Sequence, residues 1–322
     1  MRRLLRRGIG FARFFSSHGG EAVLIDGKSV ADDIKQVVAK DVALFKELVG
    51  RPPGLGVVFV GSRKASEIYV HNKTLACDET GISSSCTKLP EGASEEDVLA
   101  SIRNYNEDPS VDGILVQLPI PKHLDEDRIL SSISLEKDVD GCHPVNIGNL
   151  ALKGNQPLFV PCTAKACLQL LLAKRVQLSG RYAVVIGCGN IAGLPISLLL
   201  QQHNATVTRV HALTKAPEDY TRKADIVISA TGSPNLVRGN WLKQEAVVLD
   251  VGISHIQDPC SGELHLIGDV CIGEARKVAS LISPVPGGVG PVTIAMLLQN
   301  TMLAAKLRHG FHQSKPESDA VK

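Results

Sequence analysis

The chain has 322 residues, two to three times the length of an ordinary domain, so it has room for two hydrophobic cores. Hydrophobic residues make up 44% of it and charged residues 21%, a composition that excludes disordered, collagen-like and coiled-coil proteins. No apolar run approaches the roughly 18 residues of a membrane-spanning helix.

The formal net charge of +2 is unevenly distributed. Five arginines precede the first acidic residue, Glu21: Arg2, Arg3, Arg6, Arg7 and Arg13. Without them the chain has 30 basic and 33 acidic residues, a net charge of −3. Such a body has no bulk attraction for phosphate backbones, which argues against a general nucleic-acid binder and for a small-molecule partner.

The leader, residues 1–20, is rich in arginine, free of acids and apolar at helical intervals, and it lacks the continuous apolar core of a secretory signal. This pattern predicts a mitochondrial transit peptide. A frayed basic tail and a chloroplast leader remain alternatives.

The eight cysteines contain no CxxC pair and no histidines at zinc-like spacing. Neither a metal site nor a disulfide framework is indicated, and we expect reduced, mostly buried thiols.

Strand-like and helix-like segments alternate after the leader. Apolar strands are predicted at 55–61, 82–89 and 112–119, separated by helices at 65–79 and 94–106. Strands without polar alternation, separated by helices, predict a parallel sheet covered on both faces. These elements form a first α/β domain.

A second series begins near residue 160, with strands predicted at 181–187, 205–210, 224–232 and 246–253. A final helix, 291–308, follows the Pro/Gly loop 284–291 and is expected to return to the first domain. We therefore predict two α/β domains, the second of Rossmann type. The predicted boundaries are 21–160 with 290–309 for the first domain, 161–289 for the second, and 310–322 for a disordered tail.

Gly187, Gly189 and Gly193 follow a predicted strand and open a predicted helix. Glycines in this context let backbone amides approach a pyrophosphate, beside a favourable helix dipole. They predict dinucleotide binding, with a merely tight strand–helix turn as the alternative.

The next strand ends at His211, with Arg209 and Lys215 nearby and no acid. An NAD site usually has an acidic residue there for the ribose 2′-hydroxyl, so a basic end favours the 2′-phosphate of NADP. Solvated basic side chains would give the same pattern, and NAD stays open.

Tyr69 and Lys73 are four residues apart and project from one helix face. A buried lysine with a lowered pKa could act as an acid or base, whereas an exposed lysine on an amphipathic helix is the structural alternative.

Gln117 follows an aliphatic run at the carboxyl end of a strand, where open α/β sheets bind ligands. It is either a member of a hydrogen-bond network near a site or a cap on the next loop.

Asp138 and Asp140 would point to opposite sides of an extended segment, so at most one faces a given pocket. The glycines of the Pro/Gly loop 284–291 would let a ligand or another backbone segment approach closely. Alternatively, the loop is a structural hinge between the two domains.

Together these segments resemble the bifunctional methylenetetrahydrofolate dehydrogenase/cyclohydrolase family, over nearly all of residues 24–308. The motifs that carry the resemblance are IDGK (25–28), SEIYVHNK (66–73), GILVQLPIP (113–121), EKDVDG (136–141), PCT (161–163), GCGNIAGLP (187–195), ATGSPN (230–235), DVGI (250–253) and PVPGGVGP (284–291). The segment 268–280 is similar to plant members in particular.

The resemblance implies oxidation of 5,10-methylenetetrahydrofolate with NADP and hydrolysis of the methenyl product to 10-formyltetrahydrofolate, by a homodimer without a metal. It implies that Lys73 is the catalytic lysine, that Gln117 bonds to it and that Tyr69 stacks on the folate. The remaining implied substrate residues are Asp140, at the pterin, and Pro291. The implied cofactor residues are Gly187, Cys188, Gly189, Gly193, His211, Ile253 and Thr293.

Two departures from the family concern the cofactor. Many relatives have Gly-Arg-Ser at 187–189, where this chain has Cys188, and a His-Ser pair at 211–212, where it has Ala212. An arginine that could hold the 2′-phosphate is therefore missing. Two alternatives follow: a cyclohydrolase with lost or NAD-shifted dehydrogenase activity, and a non-catalytic folate-binding protein.

Overall fold

The computed structural model describes residues 20–257 and 264–311. Its strands are, in chain order, β1 (Val23–Leu24), β2 (Gly54–Val60), β3 (Ser83–Leu89), β4 (Gly113–Val116), β5 (Tyr182–Ile186), β6 (Thr206–Val210), β7 (Ile226–Ser229), β8 (Val247–Asp250), β9 (Ser254–Gln257), β10 (Leu264–Ile267) and β11 (Leu281–Ile282).

The helices are α1 (Gly27–Val49), α2 (Lys64–Thr80), α3 (Glu95–Glu107), α4 (Glu126–Ser131), α5 (Pro144–Ala151), α6 (Cys162–Ala173), α7 (Gly193–Gln202), α8 (Pro217–Thr221), α9 (Ile272–Ala275) and α10 (Val289–Arg308). Short 3₁₀ turns cover Leu135–Lys137 and Gly239–Trp241. Each predicted helix lies within two residues of an observed one. Helix α2 ends, as predicted, where Gly81 adopts the left-handed conformation that closes a helix.

The first sheet has the order β3-β2-β4, and both pairings are parallel. Every residue of the central strand β2 is buried. The edge strand β3 keeps several of its side chains exposed. The prediction of a sheet covered on both faces is therefore wrong for this strand. Strand β4 stops at Val116, ahead of the predicted residue 119, where Pro119 has no amide hydrogen for the ladder.

The second sheet has six parallel strands in the order β1-β11-β8-β7-β5-β6. The chain runs outward from β5 to β6 and then returns to the other side of β5 through β7. This reversal opens a crevice at the carboxyl ends of the strands, where doubly wound sheets bind dinucleotides. Residues 23–24 fall within the range expected for the first domain, yet β1 pairs with β11 of this sheet. The antiparallel β9–β10 hairpin was not predicted.

Helix α10 brings the end of the chain back to the first sheet, which confirms that part of the predicted fold. It packs against α1 and α6 and contacts β4. Its Lys306 is paired with Asp41 of α1 at 2.7 Å. Arg308, in the last turn, reaches the Asp112 carboxylate just before β4 at 3.0 Å.

The predicted transit peptide lies outside the described residues, apart from Gly20, and so does most of the predicted tail. In the part of the chain that is described, no helix has the length and apolar character needed to cross a membrane.

Candidate active site

A cleft of about 820 Å³ opens between helices α1 and α2 on one side and the Pro/Gly loop with the start of α10 on the other. Six of the predicted site residues line it: Tyr69, Lys73, Gln117, Ile253, Pro291 and Thr293. They come from four separate segments of the chain, and only the tertiary fold brings them together. Ala192, in the predicted dinucleotide turn, also lines the cleft.

Lys73 projects from α2 toward the carboxyl end of β4. Its Nζ donates a hydrogen bond to Gln117 Oε1 at 2.9 Å, and Gln117 Nε2 donates to the Leu118 carbonyl at 2.7 Å. The second bond fixes the amide so that its oxygen faces the lysine. Burial lowers the pKa of Lys73, and the negative charge of Asp140 partly opposes this. Burial therefore favours the neutral amine more than it is favoured in a lysine exposed to water.

Tyr69 lies one helical turn before Lys73, and both side chains line the cleft. Burial raises the pKa of the Tyr69 phenol, so the ring is neutral and half-buried beside the lysine. An aromatic face in this position can stack on a planar ring of a ligand.

The two aspartates of the 136–141 motif have different environments. Asp138 is buried and accepts hydrogen bonds from the amides of Cys142 and His143 and from Asn146 Nδ2. Burial raises its pKa to about 7 although these donors oppose the rise. Asp138 therefore shapes the turn, whereas Asp140 is half-buried, lies outside the cleft lining and acts electrostatically on Lys73.

The glycine turn between β5 and α7 is closely packed at two of its three glycines. Gly187 has a φ of +107°, and a Cβ there would collide with the Ala230 carbonyl oxygen. A Cβ at Gly193 would collide with the Gly187 carbonyl oxygen, whereas Gly189 is exposed with open space around it. The turn thus leaves a backbone surface at Gly189 and the amino end of α7, which fits a pyrophosphate.

Cys188 and His211 lie at the adjoining ends of β5 and β6, outside the cleft lining. The Cys188 thiol donates a weak hydrogen bond of 3.7 Å to the Val210 carbonyl. His211 is exposed, and its Nδ1 accepts from the Leu213 amide. Arg209 and Lys215 are exposed beside it, so this strand end is basic and accessible.

Two buried carboxylates that the sequence analysis did not single out hold the loops after β7 and β8. Asp250 accepts from the amides of Gly252, Asp269 and Val270. Asp269 accepts from Ser229 Oγ and from the amides of Thr231 and Ser233. These bonds fix the backbone near Ile253 at the sheet edge. Motifs DVGI and ATGSPN contain the partners, but their pairing depends on tertiary contacts.

The seven described cysteines are free thiols, and Cys260 lies outside the described residues. Three are buried, three are half-buried and Cys86 is exposed, so the expectation of mostly buried thiols is wrong. Within residues 20–257 and 264–311, no group of three or more His, Cys, Asp or Glu side chains could hold a metal ion.

Family models match most of the chain. The tetrahydrofolate dehydrogenase/cyclohydrolase catalytic domain matches residues 25–140, and the tetrahydrofolate dehydrogenase/cyclohydrolase NAD(P)-binding domain matches residues 161–309.

Two curated relatives from Arabidopsis thaliana are more than half identical to this chain. Bifunctional protein FolD 4, chloroplastic, is 55% identical over 296 residues, covering 92% of this chain and 82% of the relative. Bifunctional protein FolD 1, mitochondrial, is 56% identical over 287 residues, covering 89% and 82%.

Solved structures with the same fold include two at 44% identity. The methylenetetrahydrofolate dehydrogenase-cyclohydrolase of Trypanosoma brucei, complexed with NADP cofactor and inhibitor, has a TM-score of 0.87, with 90% of this chain and 99% of that chain covered. The bifunctional enzyme of Campylobacter jejuni has a TM-score of 0.83, with 89% and 99% covered.

Proposed function

Because this chain belongs to the tetrahydrofolate dehydrogenase/cyclohydrolase family, we propose that its cleft oxidises 5,10-methylenetetrahydrofolate with NADP and hydrolyses the product to 10-formyltetrahydrofolate. The comparisons confirm the predicted family, the two-domain α/β fold and the bifunctional activity. The observation that carries the proposal is the 2.9 Å bond from Lys73 to Gln117 inside a cleft that Tyr69 and the dinucleotide turn share.

The dehydrogenase step removes a hydride from the carbon that bridges N5 and N10 of the folate. When bound, NADP supplies the hydride acceptor, while the protein supplies placement and electrostatics. Tyr69 stacks on the folate and Asp140 recognises its pterin ring. The glycine turn and the amino end of α7 would hold the pyrophosphate of NADP. Ile253 and Thr293, which line the same cleft, would contact the rest of the coenzyme. Bringing both molecules into one cleft orients the donor carbon for transfer.

Hydride loss leaves a positively charged methenyl carbon, which a fully charged lysine would repel. The neutral fraction of Lys73 avoids that repulsion and accepts a proton from the water that attacks the carbon. The resulting ammonium returns that proton to N5 as the carbon–N5 bond breaks. The hydroxyl of the water adduct releases its remaining proton to solvent, which leaves the formyl group on N10 and gives a net release of one proton. Gln117 holds the amine in place through both states, because its oxygen accepts from either one.

Lys73→Ala tests this role directly. Hydrolysis of methenyltetrahydrofolate, followed by loss of its near-ultraviolet absorbance, should become undetectable while the dissociation constant for NADP changes less than about twofold. Lys40→Ala, an exposed lysine of α1, is the control and should keep parental activity. Hydrolysis by the Lys73 variant at the parental rate would remove the proposed role.

We place this enzyme in mitochondria, on the basis of the acid-free, arginine-rich leader. The two Arabidopsis relatives carry a chloroplastic and a mitochondrial name. Residues 1–20 fused to a fluorescent reporter should enter isolated plant mitochondria, and import into chloroplasts instead would contradict the assignment.

The resemblance also implies a homodimer, and sedimentation of the purified chain tests it. A mass near the 34.4 kDa of one chain at micromolar concentration would contradict dimer formation.

A further inference from the structure

Lys165, on α6, is a half-buried lysine to which the mechanism gives no role. Its Nζ donates a 2.9 Å hydrogen bond to the side-chain oxygen of Asn300 on α10, and burial lowers its pKa. An ammonium group taken out of water is stabilised better by a carboxylate than by a neutral amide. Pairing Lys165 with an amide therefore stabilises the contact between the two helices less than pairing it with a carboxylate would. This suggests that the amide of Asn300 has a second role.

Asn300 uses its other end to hold two loops. The side chain is only 1% exposed, and Nδ2 donates to the carbonyl oxygens of Val139 at 2.9 Å and Val160 at 3.2 Å. The Lys165 ammonium attracts the amide oxygen, so the NH₂ group must face the two carbonyls.

The two loops lead directly into the active site. Val139 precedes Asp140, and Val160 lies just before Cys162 and Thr163, the latter in the wall of the cleft. A further bond of 3.1 Å from the Cys162 amide to the Asp140 carbonyl joins the loops to each other. The backbone on both sides of Asp140 is thus fastened to α6 and α10, and Asp140 in turn acts on Lys73.

We propose that Lys165 and Asn300 are positioning residues that hold the backbone of Asp140 close to Lys73 and so set the affinity for the folate substrate. Neither residue lines the cleft, and both act through the backbone of residues 139–140 and 160–162. The inference rests on the proposed function, because it takes Asp140 as the folate-recognising group.

Asn300→Asp separates positioning from folding. A carboxylate at 300 pairs with Lys165, which supports the packing of α6 on α10, but it has no N–H to donate and repels the carbonyls of Val139 and Val160. The KM for methylenetetrahydrofolate should rise about tenfold, while the dissociation constant for NADP, measured by calorimetry, stays within about twofold. General damage to the fold would instead weaken the binding of both methylenetetrahydrofolate and NADP.

Two further variants complete the test. Lys165→Met removes the group that orients the amide and should raise the folate KM about threefold. Thr301→Val is the matched control. Thr301 is the next residue of α10 and equally buried, but its hydroxyl bonds within the helix to Leu297, so the KM should not change.

The outcomes are distinct. A folate KM that stays parental in a folded Asn300→Asp enzyme overturns the inference and leaves the proposed function standing. If that variant does not fold, Lys165→Met decides by the same criterion. A parental chain that does not turn over methylenetetrahydrofolate contradicts the proposed function, and the positioning role falls with it.

Discussion

At the scale of single residues, the proposed chemistry depends on how the protein holds Lys73. The Gln117 amide is the hydrogen-bond acceptor of the lysine, and Asp140 is the charge that acts on it most strongly. Burial lowers the pKa, whereas a second carboxylate would raise it. The uncharged character of Gln117 is therefore as important as its position.

Gln117→Glu places that second carboxylate against the amine. It favours the ammonium form and raises the pKa of Lys73, so the rising limb of the pH–rate profile for hydrolysis should move to higher pH by about one unit or more. Activity at neutral pH should fall by about tenfold or more and recover partly in alkaline buffer. Gln117→Leu, which adds no charge, is the control. An unshifted profile in the Glu variant would show that Lys73 is not the titrating base.

Cofactor choice is also decided by single side chains. At 188 a cysteine bonds back to Val210, and the basic groups nearby are the exposed Arg209 and Lys215. Cys188→Arg adds a bidentate donor beside the turn and should tighten NADP more than NAD, by about tenfold. Calorimetric titration with both coenzymes measures the ratio. Equal tightening of the two would contradict a 2′-phosphate contact at this position.

At the scale of elements, the turn predicted to bind the dinucleotide has backbone in place of side chains where β5 and α7 meet. Two of its glycines leave no room for a Cβ, whereas Gly189 has open space around it. Gly187 and Gly193 are therefore required for packing, whereas Gly189 leaves backbone accessible to the proposed ligand.

Gly193→Ala should push α7 away from the turn. We expect the free energy of unfolding to fall by about 2 kcal/mol or more and NADP affinity to fall at least tenfold, since a backbone shift displaces the amides. Gly189→Ala is the matched control for stability and should unfold at the parental temperature. Thermal melts followed by calorimetry compare the two, and equal melting temperatures would contradict the packing argument.

At the scale of the whole molecule, the last turn of α10 is bonded to the first sheet through Asp112. Asp112 is fully buried and accepts from Arg51 at 2.7 and 2.9 Å, from Arg308 at 3.0 Å and from the Gly54 amide at 2.9 Å. It therefore connects the last turn of α10 to the amino ends of β2 and β4. Helix α10 begins in the cleft and ends at this cluster, so it connects the cleft to the first sheet.

Asp112→Asn should be strongly destabilising. It leaves two arginines without their full negative partner, which costs about 3 kcal/mol or more in a buried cluster. Urea unfolding measures the change, with Asp127→Asn, at an exposed residue of α4, as the control. A difference below about 1 kcal/mol between the two variants would show that solvent relieves the cluster.

Local patterns account for much of this structure. Apolar runs and glycine punctuation are local properties of the chain, and they predicted every strand of the first sheet and β5 to β8 of the second to within a few residues. Strands β1 and β11 are two residues each and gain their stability from the sheet they join, so no local pattern marks them. The β9–β10 hairpin was missed as well.

The sequence by itself determined the alternating α/β architecture, the glycine turn and the family, because these follow from ordered motifs whose spacing is local. The family resemblance implied the bond between Lys73 and Gln117, 44 residues away, and the tertiary structure gave its geometry. Only the tertiary structure decided that Asp138 is buried in its own turn while Asp140 acts on the lysine. It alone also joined Lys165 to Asn300 across 135 residues. Hydrogen bonds and pKa shifts of this kind depend on burial and on distances between remote segments, which the order of residues does not specify.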